Sequence, residues 1–278
     1  MIATDVQVMR FNRAQYAREW KRLHHVTEQQ AYPIFLRALN EQTQDAVTYI
    51  KSHGVVSLSA HLTVVISKQP IQKAYLQVYQ KAGVAGARFS YEQISKMVST
   101  QKSQTKDVPG FFSEHWKKLM SLFYNTQAAE RVQGVTGTTR EHIQKLLDDS
   151  QGMTTSEQAT YMVAELNDPD FNRMRALRIA RTETTTAANY GALLGGESSD
   201  YETGKCWLPV MDTNTRPDHA AMDGTPPIGI DEQFEVGSSL MSYPGDMSAP
   251  ANEVINCRCA IAIVPLLSAT GLPILKVA

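Results

Sequence analysis

Apolar residues recur at intervals of three and four along most of the first 195 positions and lose that rhythm beyond them. Residues 1–12 read as an arm with no clear period. From Asn12 to about Glu28, Tyr16, Trp20, Leu23 and Val26 share one helical face. Arg13, Arg18, Lys21 and Arg22 take the other faces, either as a solvated surface or as a contact for phosphates or an acidic partner. Pro33 suits a first helical turn and predicts a second helix through Phe35, Leu39, Val47 and Ile50 to about Lys51. His53-Gly54 ends it. Residues 58–66 read as a short strand or a helical turn, because Thr63, Val64, Val65 and Ile66 are all β-branched. Pro70 opens a helix with Ile71, Ala74, Tyr75, Val78 and Tyr79 on one side. Residues 82–106 turn polar, with Gly83 and Gly86 early, a helix at 91–98, and a linker at 99–107 followed by Pro109-Gly110.

The helical rhythm then returns. Phe111 to about Val132 carries Trp116, Leu119, Met120 and Phe123 on one face. Thr138 and Glu141 have capping-box spacing and predict the start of a short helix ending near Leu147. Gly152 breaks it, and another helix runs from Thr155-Ser156 to Leu166. That pair imitates a helix-turn-helix DNA reader. Its second helix offers Glu157, Gln158 and Glu165 with no Arg or Lys, so the cations that hold phosphates are missing. Asp168-Pro169-Asp170 combines an N-cap, a first-turn proline and an acid at the positive helix end. The helix it starts is expected to stop at Gly195-Gly196. It bears Arg173, Arg175, Arg178 and Arg181, then Glu183 and a run of threonines. These arginines are expected to pin it to the acidic segment that follows.

Residues 205–259 differ in kind. They concentrate turn-forming and ligating residues, and all three cysteines. Cys206 to Val210 and Ile255 to Val264 read as strands, with turns at Arg216-Pro217 and Asp223-Gly224 between them. The fold class expected is therefore α+β: a mainly helical N-terminal body followed by a small β-containing C-terminal module.

Composition adds a modest asymmetry. The 278 residues carry a net charge of −1, but residues 201–278 hold four basic and nine acidic side chains against 23 and 19 in the rest. A mildly basic helical part and an acidic module follow, without the strong charge of an obligate nucleic-acid coat. The chain shows no secretory signal and no membrane-spanning run, and its three cysteines do not make a secreted disulfide framework. The expectation is folding in a reducing cytoplasm.

Two chemistries suit the closing stretch. On a strand, Cys257 and Cys259 point to one face, where they could join Cys206 and His219 in a Cys3His zinc site. Their spacing is not a Cys-x2-Cys knuckle, so buried apolar thiols and a disulfide remain alternatives. His219 with Asp212, Asp218, Asp223, Asp231 and Asp246 supplies acid and base types, but Gly-x-Ser-x-Gly, a phosphate loop, His-Glu-x-x-His and a zinc-deaminase signature are all absent. No catalytic residue is assigned, and the chain is not expected to be an enzyme.

In combination these residues are similar to the phage Mu F-like minor head proteins. The likeness rests on Arg178, Arg181, Glu183 and Asn189; on Lys205-Cys206-Trp207, Asp212, Arg216, His219 and Met222-Asp223-Gly224; and on Asp231, Phe234, Tyr243-Pro244-Gly245-Asp246, Ala249-Pro250 and Ile255-Asn256-Cys257-Arg258-Cys259. It covers about residues 138–264 and implies a core of that module made by these positions. Cys206 stands where the family does not generally have cysteine, so a site common to the family does not depend on it. The resemblance implies a head-morphogenesis module at 136–265; a helical region at 1–135, expected to dock on the portal or other head proteins, precedes it and an apolar tail at 266–278 follows. It implies a minor capsid protein of a tailed bacteriophage inside the virion near the portal vertex, and in the host cytoplasm during assembly. Its implied partners are the portal, other head or scaffold proteins and packaged DNA through non-specific contact, with no membrane. The alternatives are an enzyme delivered with the genome, of ADP-ribosyltransferase or hydrolase type, and a zinc-stabilised interaction module; otherwise no cofactor is implied.

Overall fold

A computed structural model describes residues 7–99 and 110–277. Residues 1–6 of the expected arm, 100–107 of the expected linker and Pro109 lie outside the described residues. The chain is α+β. In order it forms β1 (Gln7–Val8), α1 (Arg13–His53), α2 (Leu58–Val65), α3 (Gln69–Val98) and α4 (Gly110–Phe123). A π-helical turn (Tyr124–Ala128) leads into α5 (Ala129–Asp149), α6 (Thr155–Leu166) and α7 (Pro169–Glu197). There follow β2 (Thr203–Leu208), α8 (Pro217–Ala221), β3 (Ile228–Gly229), β4 (Phe234–Val236), β5 (Ser239–Met241), α9 (Ala251–Val254) and β6 (Ala260–Leu267). No helix among the described residues is long and apolar enough to cross a membrane.

The chain divides into two compact units, each built from separated segments. One takes the described parts of Met1–Gln29, Val78–Phe123 and Arg181–Ala278; the other takes Gln30–Gln77 and Tyr124–Ala180.

The second unit is wholly helical. Its core joins Val47 and Ile50 to Leu58, Leu62 and Ile66, and to Ile143, Leu146, Met162 and Leu166. The ambiguous 58–66 stretch is helical because its buried residues, Leu58, Leu62 and Ile66, fall four apart while Val64 is exposed. Spacing against the core overrides β-branched propensity. Pro33 does not start a helix but lies inside α1. It is exposed, as is Gln29, whose carbonyl loses its helical partner to the proline and can bind water instead. Thr138 and Glu141 do not start one either; they lie within α5. Between them Arg140 closes the end of α2, donating to the carbonyls of Ile66 (2.6 Å) and Thr63 (3.1 Å). The capping box forms instead at Thr154 and Glu157, at the start of α6. Gln42 is fully buried and paired at both ends of its amide, donating to Ser67 O and accepting from Thr139.

In the first unit, β2 and β6 pair antiparallel from Thr203↔Pro265 to Leu208↔Ala260, with β1 and β3 on the outer edges. The second expected strand therefore begins at Ala260, not Ile255. The start of α1 buries Tyr16, Trp20, His24 and Thr27, whereas Val26 is 44% exposed. The inward face continues through polar side chains, so apolar spacing alone does not locate it.

Glycines that read as helix breakers are helical contact points here. Gly195 and Gly196 lie inside α7, and Gly83 and Gly86 inside α3. A Cβ on Gly191 would overlap the carbonyl oxygen of Gly83, one on Gly86 that of Ala188, and one on Gly195 that of Ala87. The two helix backbones touch, and only hydrogen fits between them. Replacing Gly191 with alanine should therefore destabilise by about 1–3 kcal/mol through overpacking. Gly134 of α5 meets nothing within 4 Å, so Gly134→Ala should stabilise by up to about 1 kcal/mol. Urea unfolding of the two variants should shift the midpoint in opposite directions.

Candidate functional site

The site is organised by one face of α7. Thr182, Thr185, Thr186 and Asn189 fall at helical spacing and are all buried. Thr186 donates to Gly245 O (2.8 Å) and Thr185 to Cys257 O (2.5 Å), and the amide of Asn256 donates to Thr182 Oγ1 (3.0 Å). Asn189 Nδ2 lies 2.9–3.0 Å from the carbonyls of Thr185, Pro244 and Cys259, while its Oδ1 accepts from Ile261 N (2.9 Å). Loop segments without ladder partners thus find them on helix side chains, as buried backbone groups require.

The loop at 255–259 is shaped for this grip. Asn256 has φ +60°, the left-handed region that asparagine tolerates better than most residues. The turn carries Cys257 and Cys259 inward, where both are buried. His219, from the single turn of α8, meets them: its Nδ1 is 3.6 Å from each sulfur. Its Nε2 is 3.0 Å from Glu253 Oε2, and Asn252 Nδ2 holds the other carboxylate oxygen at 2.8 Å. Trp207 packs edge-on against both the His219 ring and Phe234. The three ligand atoms of His219, Cys257 and Cys259 lie within 4.8 Å of one another. The hydrogen bond from the Cys257 thiol holds Cys259 well below the ordinary thiol range and raises Cys257, so charge on this pair gathers at Cys259.

Cys206 is not brought to this group. It neighbours Trp207 on β2, so the two side chains leave opposite faces, and Trp207 faces His219. Burial pushes the Cys206 thiol up to about 11.

Other marked residues are dispersed around this centre. Asp212 and Arg258 form a two-pronged ion pair at 2.8 and 2.9 Å. Arg216 donates to Ile255 O (2.6 Å), Asp223 pairs with Arg13 of α1 (3.0 Å), and Gly224 turns with φ +75°. Asp246 accepts from the amides of Ser242 and Ser248, shaping the Tyr-Pro-Gly-Asp turn. Lys205 is buried, donates to Ser242 O and lies over the Phe234 ring. Burial lowers its pKa to about 8 despite the charges of Asp231, Asp246 and Glu232. Glu183 accepts from Tyr79 (2.5 Å), and Arg181 pairs with Glu28 of α1 (3.1 Å), not with an acid of the closing module. Arg178 is exposed and belongs to the helical second unit.

Beside the centre, Arg181, Asn214, Arg216, Asn252, Asn256 and Arg258 line a cleft of about 720 Å³ with no acidic residue on its walls. A smaller one, about 250 Å³, shares Arg181 and Arg258 and adds Lys21, His24, His25 and Glu28.

Residues 126–262 match the family described as Phage Mu protein F like protein. The chain belongs to the phage Mu F-like family. No curated protein and no solved structure matches it. Membership puts the chain among phage head-morphogenesis proteins, a predominantly structural group.

Within this Mu F-like domain, the sequence patterns did not single out Glu253, Thr182, Thr185 or Thr186 as functional residues. His24 was missed outside it. Thr185 spends its one hydroxyl hydrogen on a carbonyl, so His24 donates to it from Nε2 (2.8 Å). Burial, and then the charges of Arg181 and Arg258, hold His24 down to about pKa 4. Unfolded, it would titrate near 6.5. The unfolded chain therefore takes a proton first as pH falls. His24 should withdraw about 3 kcal/mol of stability between pH 6.5 and 4, with little effect above that window. His24→Gln, compared with the parent by urea unfolding across pH 4–8, should flatten the profile by that amount; parallel profiles would refute the assignment.

Proposed function

We propose that this protein is a minor capsid protein of a tailed bacteriophage that associates with the portal and acts in procapsid assembly and in DNA packaging or delivery. The match over residues 126–262 carries this reading. In it, exposed helix surfaces within residues 1–135 dock on the portal or other head and scaffold proteins. Residues 136–265 form the head-morphogenesis module, and residues 266–278 are an apolar tail. The exposed side of α1, with Arg18, Lys21 and Arg22, supports docking on an acidic partner.

The centre argues against catalysis. Cys259, His219 and Glu253 stand in the order nucleophile, base and orienting acid. All three are buried, and the clefts beside them are lined by other residues. A reacting carbon would have to reach a sulfur with 3% residue exposure. We therefore read the arrangement as internal scaffolding.

Imaging intact heads by asymmetric reconstruction, comparing parent with particles lacking the protein, should find its density at one vertex in a few copies, within the virion. Uniform distribution over the shell would overturn the portal assignment. Contact with packaged DNA is assigned to the arginine cleft, where Arg216 has a carbonyl but no carboxylate partner among the described residues. Arg216→Ala should weaken DNA binding equally across sequences and reduce the salt slope by about 1. An unchanged slope would remove the cleft from that role.

A further inference from the structure

We propose that His219, Cys257 and Cys259 bind one zinc ion through Nδ1 and the two sulfurs, with Glu253 as the supporting carboxylate. The first argument is geometric. Around a tetrahedral zinc with Zn–S of about 2.3 Å and Zn–N of about 2.0–2.1 Å, sulfur and nitrogen stand about 3.5–3.6 Å apart. Both nitrogen–sulfur distances here are 3.6 Å. The two sulfurs complete a triangle whose sides all fall within 4.8 Å. One nitrogen equidistant from two sulfurs at this separation matches three corners of a coordination tetrahedron.

The second argument is the histidine's orientation. Glu253 Oε2 lies 3.0 Å from Nε2 and accepts its proton. That fixes the tautomer with a lone pair on Nδ1, aimed at the sulfurs. A carboxylate behind a ligating histidine is the usual outer support of a zinc site. Asn252 steadies that carboxylate in turn.

The third argument is charge and rigidity. Two thiolates and one Zn2+ sum to zero, so the only net charge left in the occupied group is the Glu253 carboxylate, which His219 and Asn252 hydrogen-bond. The backbone of both cysteines is already held, Cys257 O by Thr185 and Cys259 O by Asn189. Three protein ligands with water in the fourth position form a set zinc accepts. Calcium and magnesium prefer oxygen donors and would not choose this one. Cys206 has no part in the site.

The test uses the full chain purified from a reducing cytoplasm without added chelator. Metal analysis should find one zinc per chain in the parent and in Cys206→Ser, and loss of zinc in Cys257→Ser and Cys259→Ser. Since those two variants could fail to fold, the parent itself supplies the deciding measurement. Stripped of metal and fully reduced, it should take up one Co2+ with thiolate-to-cobalt charge-transfer absorption, release protons on binding and melt at a higher temperature with zinc than without. Folded, reduced protein that takes up neither ion would overturn the proposal. So would native protein holding a Cys257–Cys259 disulfide, with Cys206 as its one titratable thiol.

Discussion

The hydrogen-bonded face of α7 is the constraint on which the closing module depends. A helix ordinarily buries an apolar stripe; this one turns threonines and an asparagine inward at the same spacing. The reason lies in what it meets. The segments at 244–245 and 256–261 present carbonyls and amides that no neighbouring strand satisfies, and each unpaired buried group would cost about 1–3 kcal/mol. Asn189 alone reaches three of them, Pro244 O, Cys259 O and Ile261 N. From that grip follow the inward turn at Asn256, the convergence of both cysteines on His219, and the start of β6 at Ala260.

The architecture was legible in the sequence where periodicity and packing agree. The helical body, the Asp168-Pro169 start of α7 and the strand around Cys206–Trp207 follow from spacing, caps and β-forming residues. Helix limits were not legible wherever glycine or proline has a second use. Pro33 is tolerated on an exposed helix face, and Gly195 serves a contact between backbones rather than a stop. Neither distinction is local, so neither can be read from neighbouring residues.

The candidate centre was half legible for a related reason. Residue type marked His219, Cys257 and Cys259, but the strand assumed for the cysteines was absent; a left-handed turn brings them together instead. Cys206 looked equivalent by type and is excluded by the alternation of β2. Glu253 gave no signal, because an acid in a single short helical turn such as α9 resembles any surface acid until the fold sets it behind an imidazole.

The pairing of β1 with β6 also bears on the order in which the molecule forms. Gln7 opposes Leu267, 260 positions later in the chain, and β2 finds its longer partner, beyond the short β3, in the same late strand. On the ribosome, the segments of the helical second unit have all emerged once residue 180 is out, whereas the sheet must wait for its last strand. Contacts so distant in sequence form slowly. The finished sheet thus exists only on chains translated at least through β6.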